Sequence, residues 1–172
     1  MAATDRRGGH AVTAAPDDDL HVVTELLGRE PQGQFEVVVR RVDRSPVVVA
    51  NAPLLYSGRP MPTRYWLVDK ALNRAVGSLE SIGGVNQAEA EVDAVALRAA
   101  HDAYAAERER LMPSDHDGPR PSGGVGGTRE GVKCLHAHYA NFLVGADDPV
   151  GEWVHHRLHA EGRAFDPSEP AS

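Results

Sequence analysis

A single cysteine, Cys134, stands among 172 residues. It excludes an internal disulfide framework, and a free thiol suits a reducing compartment. Aromatic residues are equally sparse at 5%, so with 41% hydrophobic content the core must be built from Val, Leu and Ala. No apolar run approaches the ~20 residues that would span a bilayer. Residues 1–19 carry two arginines but no apolar stretch of the kind a secretion signal needs. Basic residues are outnumbered 18 to 25, giving a net charge of −7. A general nucleic-acid binder needs a basic face, and this balance argues against one. These absences predict a cytoplasmic protein of one domain, for which 172 residues are enough to bury a core.

Residues 1–16 are small and polar and are expected to form a disordered tail. Asp17, Asp18 and Asp19 favour the positive end of a helix that Leu20, Val23, Leu26 and Leu27 continue and Gly28 ends. The β-branched runs 35–42 and 46–50 predict strands, residues 56–60 a turn, and 63–68 a third strand. The second half is helical by its spacing. Helices are expected over 70–82, over a long stretch 86–111 capped by Asn86, over 132–144, and over 148–160 behind Asp148 and Pro149. Between them, residues 112–127 hold three prolines and five glycines, a linker or lid. The fold class expected is α+β: about three antiparallel strands against about four helices, as one domain over 17–160 with a frayed tail over 161–172.

Chemistry concentrates where the glycine loop Gly123-Gly-Val-Gly-Gly127 runs toward Cys134, His136 and His138. Cysteine and histidine ligate soft metals or act as nucleophile and base. In a regular helix Cys134 and His138 lie within about 40° of each other and His136 about 160° away, so there Cys134 can share a ligand with His138 and not with His136. A helix that begins only after Cys134 would bring in His136 instead. A cysteine on a helix flank also serves as a small packed hydrophobe, and a histidine there often bonds a carbonyl. The glycine loop has its own second meaning: Gly126 and Gly127 before a helix could cradle phosphate, with Arg129, Lys133 and Arg64 adding charge. No Walker pattern is present. The trio His155, His156 and His159 lacks a carboxylate or cysteine at matching spacing and reads as a solvated face. His101, among small residues, reads as a satisfied core histidine.

Asn51-Ala-Pro-Leu-Leu55, Pro60-Met-Pro-Thr-Arg-Tyr-Trp-Leu67, the glycine loop, Val132-Lys-Cys-Leu-His136 and Asp148-Pro-Val-Gly151 together resemble the bacterial domain of unknown function 501 family. The likeness runs in the same order from about residue 20 to residue 154 and brings no established activity. It implies that relatives carry cysteines at the positions of Arg41 and Asp69. With Cys134 and His136 these would resemble a zinc or iron–sulfur site. Here Arg41 cannot bind a metal and Asp69 can, so any site in this chain is altered. Family members often sit beside cell-division genes, an association only.

Three readings follow. The first is a zinc-like metal-binding domain with Cys134, His136, His138 and Asp69 as ligand candidates. The second is a binder or enzyme for a phosphorylated small molecule. The third is an interaction protein linked to cell division, docking through the long Ala/Glu/Arg helix. Whether the partner is a small molecule or a protein, and whether the chain self-associates, stay open at this level.

Overall fold

A computed structural model describes residues 15–171. The tail expected over 1–16 therefore lies, but for its last two residues, outside the described part. The architecture is α+β. Helix α1 (Asp17–Leu27) precedes strands β1 (Gly33–Arg40), β2 (Pro46–Leu55) and β3 (Tyr65–Leu67). Helices α2 (Lys70–Ser81), α3 (Gly84–Glu91), α4 (Ala94–Arg110), α5 (Leu135–Leu143) and α6 (Pro149–Ala160) follow, with a 3-10 turn at Val125–Gly127.

The sheet is antiparallel throughout, ordered β1-β2-β3. Its middle strand is buried on both faces, which is why Val47 to Ala50 reads as an unbroken apolar run rather than an alternation. On one face α1 covers a small cluster of Val23, Phe35, Val49 and Val68, with Trp66 packed against it. On the other, Val47, Val48 and Ala50 join Leu72, Val76, Leu79, Leu135, Tyr139, Val150, Val154 and Leu158 in the main core. Along β1, Val37 pairs with Val49 and Val39 with Val48, so Val38 is an extra, bulged residue. The bulge interrupts the outer edge of the sheet, a common guard against strand addition.

Two helix boundaries differ from expectation, each for a local reason. The long helix expected over 86–111 is two helices. Val92 is extended and Asp93 accepts the Ala96 N–H at 2.8 Å, so a new N-terminus starts inside an uninterrupted Ala/Glu pattern. The helix expected from 132 begins only at Leu135, because Cys134 is extended (φ −149°, ψ 115°). Cys134 offers no side-chain cap. Instead the first free amide, Leu135 N–H, donates to the Glu80 carboxylate of α2 at 2.8 Å.

Helices α5 and α6 cross closely because of Gly151, where a Cβ would lie 2.3 Å from Phe142 Cβ and 2.4 Å from the His138 carbonyl oxygen. The segment over 161–171, expected to fray, makes contacts back to the domain. Phe165 N–H donates to Tyr139 Oη at 3.0 Å, the Phe165 ring lies against the Arg41 guanidinium, and Ala171 N–H reaches Asp43.

Candidate functional site

Starting α5 after Cys134 changes which side chains meet. The pairing of Cys134 with His138 predicted by a regular helix does not form. Cys134 at the helix start and His136 in its first turn face Glu80, near the end of α2. Their donor atoms all lie within 4.8 Å of one another, and all three side chains are partly exposed. His136 Nδ1 stands 3.2 Å from Glu80 Oε1, and its Nε2 is 3.1 Å from the Asn73 carbonyl oxygen. Glu80 thus both caps α5 and faces the imidazole.

Two acceptors, a carboxylate and a carbonyl, bracket the His136 ring, an arrangement that favours the doubly protonated form. Burial works against that charge. The hydrogen bonds with Cys134 and the Asn73 carbonyl, and the charges of Glu80 and Cys134, outweigh it and raise the His136 pKa to about 9.

His138 lies elsewhere, fully buried beneath the α5–α6 crossing. Its Nδ1 donates to both Asp148 oxygens at 2.9 Å. Asp148 also accepts Asn141 Nδ2 at 2.9 Å and caps α6 through Val150 N–H and Gly151 N–H. His138 Nε2 has no hydrogen-bond partner, and its ring sits edge-on to His101 at 5.5 Å.

Asp69 is absent from the Glu80–Cys134–His136 group. Its Oδ2 receives Arg41 Nε at 2.6 Å and its Oδ1 caps α2 through Leu72 N–H at 2.9 Å. The pair is buried, with side-chain exposures of 6% and 5%. Arg41 and Asp69, the two positions at which the family resemblance implies cysteines, therefore hold each other. Asn73 connects this pair to the site. Its side chain bonds the Asp69 and Leu67 carbonyls while its own carbonyl bonds His136.

The glycine loop directs its amides inward. Gly124 N–H goes to Thr128 O, Val125 N–H to His101 Nδ1, and Gly127 N–H to Gly124 O. Arg129 and Lys133 are exposed. Arg64 is buried, donates to Asn51 O at 2.8 Å and lies 3.6 Å from Glu107. None of these arginine or lysine side chains converges with Gly126 and Gly127 on an anion cradle among the contacts observed. The His155 ring lies tilted against those of His156 and His159, at centroid distances of 6.5 and 6.4 Å, and His155 also meets Tyr139 Oη at 3.2 Å.

Glu80 is the functional candidate that sequence reading missed. It lies far from Cys134 in the chain, and only the packing of α2 on α5 joins them. Among the described residues, no helix is long and apolar enough to cross a membrane.

No curated protein and no solved structure matches the chain. A family model described as a protein of unknown function matches residues 37–156, well over half of the sequence and the whole stretch that carries Arg41, Asp69, Glu80, Cys134 and His136. By that match the chain belongs to the DUF501 family.

Proposed function

We propose that this protein is a metal-binding domain in which Glu80, Cys134 and His136 hold a zinc-like divalent ion. The observation that carries the reading is the convergence within 4.8 Å of three chemically suitable donors, one from α2, one from α5 and one from the extended residue that precedes α5. Tetrahedral zinc with bonds of about 2.0–2.3 Å separates its ligands by roughly 3.5 Å, so small side-chain rotations suffice. The His136 arrangement also suits a ligand. With Nε2–H donated to the Asn73 carbonyl, Nδ1 faces Glu80 and can exchange its proton for a metal, the outer hydrogen bond fixing the ring. Three protein ligands leave a fourth position for water or an exogenous group.

The decisive measurement is zinc content by mass spectrometry, on untagged protein equilibrated with zinc and freed of excess. One ion per chain is expected in the wild type and none in Cys134→Ala. Glu80→Gln keeps an acceptor for Leu135 N–H but loses the anionic ligand. Its affinity should fall by more than about tenfold, since even outer-shell losses reach that size. Near-zero metal in wild type and Cys134→Ala alike would defeat the proposal. Equal binding in both would move the metal elsewhere, the His155–His159 row being the natural alternative.

The sign of the pH dependence is also fixed. Metal must displace the His136 proton, which is held up to a pKa of about 9. Zinc affinity should therefore climb between about pH 6 and pH 9, with proton release on binding that calorimetry in buffers of different ionisation enthalpy detects.

A further inference from the structure

The loop over 123–131 touches the metal-site residues on one side and a buried histidine on the other. On the site side, a Cβ at Gly126 would lie 3.7 Å from the Cβ atoms of both Cys134 and Ala137, so the loop rests directly on the start of α5. On the buried side, His101 of α4 fastens the loop at two points. Val125 N–H reaches His101 Nδ1 at 3.1 Å, and His101 Nε2 is 3.0 Å from the Gly131 carbonyl oxygen. The contact is tight: a Cβ at Gly124 would stand 2.5 Å from His101 Cβ.

These two partners permit one form of the ring. An amide N–H needs an acceptor at Nδ1, and a carbonyl needs a donor at Nε2, so His101 is neutral with its proton on Nε2. A second proton on Nδ1 would face the Val125 N–H donor to donor. Because the ring is only 3% exposed, no water can relieve that conflict without the loop moving. We propose that the loop over 123–131 is a gate across the Cys134 side of the site, held shut by neutral His101 and released when His101 takes up a proton. The latch stands on the loop geometry alone; that it regulates access to a metal rests on the reading above.

The surroundings agree with a neutral ring. Burial lowers the His101 pKa below its usual 6.5. The Gly131 carbonyl raises it, His138 on α5 lowers it, and Asp148 behind His138 and Asp102 on the same helix raise it. Guanidinium groups also tie the loop down: Arg108 donates to Gly123 O at 2.6 Å and Arg98 pairs with Glu130 at 3.2 Å. With its pKa depressed in the fold, His101 contributes stability that is present above about pH 6.5 and lost as pH falls through the folded value.

The test is amide hydrogen exchange on metal-free protein. It is measured one pH unit above and below the His101 midpoint read from its imidazole resonance, with rates corrected for intrinsic exchange. Loop amides including Val125 should lose about tenfold or more of their protection on the acid side, while β2 amides keep theirs. In His101→Gln, whose side chain cannot titrate, loop protection should not depend on pH, whatever its level. Unchanged loop protection in the wild type overturns the latch. So does the same acid loss in His101→Gln, which would assign the switch to another group. Should His101→Gln not fold, Gly124→Ala provides the second arm. Its Cβ forces the loop off His101, so the loop should be open at both pH values, and retained switching there would also sink the idea. The exchange data are independent of zinc content, so the latch and the metal reading fail separately.

Discussion

Asp148→Ala should be among the most damaging single substitutions in this protein, lowering stability by about 3–5 kcal/mol. A lost N-cap accounts for about 1 kcal/mol of that. The rest comes from His138 and Asn141, both buried, whose donors lose their acceptor together. For a domain of this length the fall in Tm should be roughly 6–20 °C by thermal denaturation. Asp148→Asn should fall between wild type and alanine, because the amide oxygen still caps Val150 and Gly151 while its NH2 group opposes that of Asn141. If Asp148→Ala costs no more than a cap, the buried histidine network contributes nothing to stability.

Arg41→Met should cost about 3–5 kcal/mol as well, for a different reason: it leaves the Asp69 carboxylate buried without its cation. The double variant Arg41→Met/Asp69→Asn should recover much of the loss, since asparagine retains the cap on Leu72 N–H and carries no charge. Denaturant unfolding of the four proteins closes a double-mutant cycle. Additive losses would mean that the two side chains, though 2.6 Å apart, are not energetically coupled.

What could be read from the residues divides along the range of the interaction. The sheet was legible because Val37 to Val39 and Val47 to Val49 are β-branched runs, and the last helix because Asp148-Pro149 is a local start signal that does act as one. The break at Asp93 was hidden: helical spacing continues through it, and a single aspartate inside an Ala/Glu pattern does not stand out. The start of α5 was misplaced for a similar reason. Val132, Leu135, Tyr139 and Phe142 keep a helical period that runs past the true boundary. That boundary rests on Glu80, a residue of another helix, so local spacing could offer the Cys134–His136 pairing only as an alternative to Cys134–His138. The fate of Asp69 was equally non-local, because its partner Arg41 reaches it across the sheet.

The two-faced sheet also bears on how the chain is made. Its strands end at Leu67, yet the helix that covers β3, α5, starts only at Leu135. At about 5–20 residues per second, a ribosome leaves the valines of β2 without their permanent cover for several seconds. In that interval α1 can shield one side, while on the other only the share of the main core carried by α2, α3 and α4 has yet been made. The nascent chain therefore passes through a period in which half a sheet is sticky, and chaperone dependence should track the arrival of residues 135–158 at the tunnel exit.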